Sequence, residues 1–138
     1  MICACVAELA SGEVDSQMEK FSPAALDKLA STCVGLPIAV NFDYSRPFIG
    51  RVVTAANTDN RVMALVDIDA HYLDAMRYLA PGLMVLKDHT EGNVRCIDDL
   101  GCVGVSIVDE HADKTISPMH PTILSRVKLW VYRHFGKE

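Results

Sequence analysis

The sequence lacks the closely spaced cysteine pairs that hold a zinc ion or frame a disulfide-rich domain. Its five cysteines, Cys3, Cys5, Cys33, Cys96 and Cys102, are an odd number at irregular spacing, as expected of thiols kept reduced. No apolar run approaches the roughly 20 residues that cross a bilayer, so no membrane partner is expected. Positive charge is scarce too: 13 Lys and Arg stand against 18 Asp and Glu, a net charge of −5. Nucleic-acid binding needs cations to displace counterions from phosphates, and this balance argues against it. The one basic group, Arg126, Lys128, Arg133 and Lys137, reads as a solvated helix face or the rim of a protein contact. Gly101-Cys102-Val103-Gly104 lacks the helix start and the Lys of a phosphate loop, so no nucleotide and no other cofactor is expected. Repeats, low-complexity tracts and long linkers are absent as well.

What remains is a chain of 138 residues, half of them hydrophobic. That length fits a single domain over 1–138 with a core of its own. The opening MICACVAELASG is apolar, but it has no basic leader and Glu8 interrupts it. It reads as a buried strand over 2–9 and not as a signal peptide, with the chain made in the cytoplasm.

Residues 12–21 read as a polar loop. Ser22-Pro23 starts a helix, with Ser as N-cap and Pro in the first turn. Leu26, Leu29, Ala30 and Cys33 then form one apolar stripe, and Gly35 stands near its stop. Strands follow over 36–42, 48–56 and 61–68, the last two joined by a tight turn at Asn57-Thr58-Asp59-Asn60. In the third, Val62, Ala64, Val66 and Ile68 share one face and Met63 and Leu65 the other, which predicts cover on both. Asp69 caps a second helix over 70–80, with Leu73, Met76 and Leu79 (or Ala80) inward, ended by Pro81-Gly82. Further strands are expected over 83–87, 93–97 and 102–108, with loops at 89–92 and 98–101. A long exposed loop covers 110–120. Residues 121–135 fit a helix, started at Pro121 and ended at Gly136, although alternation of Val127, Leu129 and Val131 also fits a strand. The predicted class is α+β, a small, mostly antiparallel sheet or barrel with about three helices.

Candidate chemistry is sparse. His89 with Cys96 and Cys102, or His111 with Asp113 and His120, offer metal-ligand types, yet without close paired spacing no metal is expected. Ser106, embedded in VGVSIVD, is the nearest approach to a strand nucleophile, with His71 or His89 as candidate bases. The paired carboxylates Asp67/Asp69 and Asp98/Asp99 stand at strand ends, where caps and turns use them more often than acid–base chemistry does.

The run GLPIAVNFDYSRPFIGRVVTAANTDNRVMALVDID, residues 35–69, resembles part of the tailed-phage prohead (capsid maturation) protease family, whose fold is like that of the herpesvirus assemblin. Gly35, Pro37, Asp43, Pro47, Ile49, Gly50 and Val52 stand at matching places, and the expected helix over 70–80 and Gly82 continue the pattern. The resemblance implies a catalytic His where this chain has Phe42. It implies a strand Ser within GLMVLKD, where Val85 or Leu86 stands instead. Phe42 has no group that accepts a proton. A retained scaffold without its catalytic pair implies a virion structural protein, a head decoration protein bound to the major capsid protein, with a trimer as the guessed assembly. Phe42 is then a core or interface residue, and 43–47 a structural turn. Expected contacts are the N-terminal segment, Pro118, Met119 and His120 in the loop ISPMHP, and the aromatics Trp130, Tyr132 and Phe135, although ordinary core packing is the better expectation for Trp130. An active protease using Ser106, and a small host-directed or regulatory binding protein, are the other functional classes.

Overall fold

The computed structural model describes residues 1–73 and 77–136. Among them are eight strands, two α-helices and one 3-10 turn: β1 (Ile2–Ser11), β2 (Glu19–Phe21), α1 (Pro23–Thr32), β3 (Pro37–Val40), β4 (Gly50–Thr58), β5 (Arg61–Asp69), the turn Ala70–Leu73, β6 (Tyr78–Glu91), β7 (Val94–Val108), β8 (His120–Pro121) and α2 (Ile123–Phe135). The class is α+β, as predicted, but the sheet is mixed and there are fewer helices.

The antiparallel part is local. β4 and β5 join through Asp59 and Asn60, both at positive φ, a backbone twist that matches the flanking strands and that Asp and Asn tolerate. β5 pairs with β1 and β1 with β8, all antiparallel. Period-2 patterning holds along β5, where Val62, Ala64, Val66 and Ile68 are buried and Met63 and Leu65 only half-buried. Cys3, Cys5 and Ala7 of β1 are buried in the same core.

The parallel part depends on β7. One edge of this strand carries β6 throughout. Its other edge takes β2 in parallel at 95–97 and β3 in parallel at 105–107. Helix α1 covers the gap between them. Ser22 caps it by accepting from Ala25 N–H, the Ser22 N–H donates to Ile97 O, and Thr32 Oγ1 accepts from Cys102 N–H at 3.0 Å. Leu26, Leu29, Ala30 and Cys33 are buried beneath it, as the stripe predicts. Met119 N–H donates to Arg77 O at 2.9 Å, so the segment entering β8 meets the start of β6 and the sheet curls towards closure.

Four expectations fail here. The predicted helix over 70–80 is a 3-10 turn followed by β6, and Met76, expected inward, lies outside the described residues with 74 and 75. Asp69 does cap this turn, accepting from His71 N–H at 3.0 Å, but Leu79 reaches the core from a strand. Pro81-Gly82 ends nothing. Among the described residues β6 pairs on one side only, and such an edge strand tolerates the missing N–H of Pro81. The short strands and loops expected over 83–108 are instead two long strands turning at Gly92-Asn93, with register shifts at 82–83 and 85–88. Within the polar loop 12–21, residues 19–21 form β2.

The loop 110–120 also departs from its reading. His111, Asp113, Ile116 and Met119 are buried, so most of it is pinned to the body and Met119 is not a surface contact.

Candidate functional site

The turn after β3 comes first, because the resemblance places chemistry there. Asn41 and Phe42 both have positive φ, an unusual conformation for a bulky residue such as Phe. Asp43 N–H donates to Val40 O at 2.9 Å, and the Asp43 carboxylate accepts from Ser45 N–H and Oγ–H and faces Arg46 at 3.6 Å. Those two hydroxyl and amide donors hold the Asp43 carboxyl below the usual range. Residues 43–47 are thus a built structural turn. Its rings have a defined seat. Gly82 and Gly104 pair across β6 and β7; a Cβ on Gly82 would stand 3.4 Å from Phe42 Cε1, and one on Gly104 would run into the Tyr44 hydroxyl. Two glycines opposite one another leave room for two aromatic side chains. Phe42 stays partly exposed, so it is not a core residue.

Ser106 lies directly beneath this turn, on β7. It is fully buried. Its Oγ accepts from the Phe42 N–H at 2.7 Å and donates to Ala39 O at 3.0 Å. Both bonds go to backbone, so the hydroxyl serves to hold the strained turn in place. His89 is not its neighbour: Ser106 faces Ala80 across the pair, and nine residues of β6 separate Ala80 from His89, about 30 Å of strand. His71 stands exposed in the 3-10 turn, its ring edge-on to Tyr72. Neither histidine is a hydrogen-bond partner of Ser106. Val85 and Leu86, the places first matched to a serine, are further along β6 than Gly82, which is the residue that meets Phe42.

His111 and Asp113 come together as anchors. His111 Nε2–H donates to Leu9 O at 2.8 Å, and Nδ1 accepts from Asp113 N–H at 3.0 Å. Burial lowers the imidazole pKa, outweighing the Leu9 carbonyl and the Asp113 charge. Burial pushes the Asp113 carboxyl up, but hydrogen bonds from Ser11 and Thr115 outweigh it, and the net shift is downward. His120 sits apart on β8, opposite Val6.

Helix α2 is the largest departure from burial. Thr122 caps it by accepting from Ser125 N–H, and Gly136 closes it in the left-handed conformation, its N–H donating to Tyr132 O at 2.7 Å. The helix is seated on β1 by polar bonds: Ala4 N–H donates to Ser125 Oγ at 2.9 Å, and Thr122 N–H to Ala4 O at 3.0 Å. Of its apolar side chains only Leu129 is buried. Ile123, Leu124, Val127, Trp130, Val131 and Phe135 are exposed, Leu124 at 66% and Phe135 at 74%. Trp130 stacks on His134 at 4.5 Å and meets Phe135 edge-on. Trp130 is therefore not a core residue, and the exposed apolar side chains of this helix extend beyond its aromatics to Ile123, Leu124 and Val127. Their helical spacing was visible in the sequence; that it faces outward was not. Arg126, Lys128 and Arg133 share the helix, and Lys137 lies outside the described residues. Of the loop candidates, Pro118 is half-buried and His120 exposed.

No family model matches the chain, and neither does any curated protein or solved structure.

Proposed function

We propose that this chain is a virion structural protein, a head decoration protein that binds the major capsid protein and stabilises the shell without catalysis of its own. The observation that carries the reading is helix α2, which holds an apolar face out to solvent on a rigid seat. A contiguous exposed apolar surface of this kind marks a protein contact. Trp130, Tyr132 and Phe135 supply the aromatic anchors typical of such contacts, and the net charge of −5 leaves the surface acidic elsewhere. The turn at 41–47 supports the same reading: Phe42 stands where the resemblance would put a catalytic His, and the Ser106 hydroxyl is engaged by backbone on both sides. Symmetric seating on a shell, as a trimer, lets modest individual contacts add through multivalency.

Mass spectrometry of purified virions tests this. The expected result is intact residues 1–138 at a copy number that matches the capsid lattice. Absence from virions would overturn it in favour of a regulatory binding protein, and clipped fragments in favour of a protease.

A further inference from the structure

We propose that the free end of the β6–β7 hairpin is a binding site for a zinc-type divalent transition metal. Its ligands are His89 Nε2, the Glu91 carboxylate and Cys96 Sγ, with Asp98 as the positioning residue for the imidazole. The inference is independent of the decoration reading.

The strand register builds the site. His89 faces Cys96 across the pair, and residues two apart along a strand share a face, which brings Glu91 and Asp98 to the same side. The ligand atoms of His89, Glu91 and Cys96 all lie within 4.8 Å of one another. Zinc bonds of about 2.0–2.3 Å set tetrahedral ligand atoms about 3.3–3.8 Å apart, so closure needs side-chain shifts of only about 1 Å. The set mixes nitrogen, sulfur and oxygen, which suits Zn²⁺ or Co²⁺ and not Mg²⁺ or Ca²⁺.

The carboxylate that orients the imidazole is already in place. Asp98 Oδ2 lies 2.6 Å from His89 Nδ1. A carboxylate there keeps the proton on Nδ1 and aims the Nε2 lone pair at the metal position, the usual arrangement behind a metal-bound histidine. His89 Nε2 lies 3.0 Å from Glu91 Oε1. Hydrogen bonds to Asp98 and then to Glu91 raise the imidazole pKa. The hydrogen bond from His89, then the Lys20 charge and, least, the Cys96 thiol lower the Glu91 carboxyl pKa. The cation binds His89 through an unprotonated Nε2 and Cys96 as the thiolate, and any proton that either atom carries goes to solvent. His89 and Glu91 are exposed and Cys96 buried, so the metal enters from the solvent side and keeps an open position for water.

Lys20 opposes the metal. Its ammonium stands 3.8 Å from Glu91 Oε2, on β2 beside Cys96. Removing this cation without touching a ligand must strengthen a metal site, and has no such effect on a mere ion-pair cluster.

The test is titration of the reduced, metal-free protein with Co²⁺. One equivalent is expected to bind with a thiolate-to-cobalt charge-transfer band and tetrahedral visible bands, both bleached by Zn²⁺, while Mg²⁺ does nothing. Cys96→Ser should remove the charge-transfer band, Asp98→Asn should weaken binding by roughly 10–100-fold, and Lys20→Met should tighten it. The cobalt bands of the unaltered protein provide a check that needs no variant to fold. The proposal is overturned by the absence of a saturable band or by an unchanged band in folded Cys96→Ser.

Discussion

The two helices have similar lengths and similar shares of apolar residues, yet they are used in opposite ways. Helix α1 closes the gap in β7 between β2 and β3, and its stripe of Leu26, Leu29 and Ala30 is buried. Helix α2 is fixed by Thr122 and Ser125 hydrogen bonds to β1 and leaves most of its apolar side chains in water. One helix is held by its apolar face; the other is held by polar bonds so that its apolar face stays free. Amphipathic periodicity reports that a face exists, and only the topology decides what covers it.

The contrast can be broken most forcefully in α1. Leu29→Ala removes a fully buried side chain and should cost about 2–5 kcal/mol of unfolding free energy, measured by urea denaturation. The same truncation at the exposed Leu124 of α2, Leu124→Ala, should stay within about 0.5 kcal/mol. Next comes the seat of α2. Ser125→Ala leaves Ala4 N–H without its partner and should cost about 1–3 kcal/mol, with hydrogen exchange rising in α2 while α1 stays protected.

Acid should separate the helices more gently. His111 ties the segment that leads to α2, and its folded pKa lies below the unfolded value. The unfolded chain therefore binds the extra proton first. Stability is complete above about pH 6.5 and falls as pH drops towards the folded pKa, by at most about 1.4 kcal/mol per pH unit. His89 carries the opposite sign, since its raised pKa adds stability at low pH that is lost as pH rises. Thermal melts from pH 7 to 5 should show the His111 slope flattened in His111→Gln. The smallest stability effect belongs to Leu124→Asp, which should leave the melt within about 0.5 kcal/mol while lowering virion copy number at least tenfold. Retained incorporation would show that α2 is not the contact.

Local signals in the sequence read correctly where one segment carried all the information. Ser22-Pro23 and Asn57–Asn60 announced a cap and a turn without reference to distant partners, and both stand. The stretch from 70 to 91 misled, because Leu73 and Leu79 with Asp69 as cap mimic a helix while β7 provides a full-length strand partner. Strand pairing across many residues is a non-local gain that helical periodicity cannot reveal. The same non-locality hid the site residues. Ser106 was singled out, but its bond to Phe42 spans 64 positions. His89 and Cys96 were noted together; Glu91 joined them only once the hairpin register was known.

All five cysteines are free and buried. Burial raises the thiols of Cys3 and Cys102 and pushes Cys5 up to about 12 and Cys33 to about 11. Reagents that attack thiolates therefore find almost none at these four positions in the closed molecule at neutral pH. Alkylation becomes a clock for opening: Cys3 and Cys5 time the release of β1, Cys33 the end of α1, and Cys102 the middle of β7, with no label added to the chain.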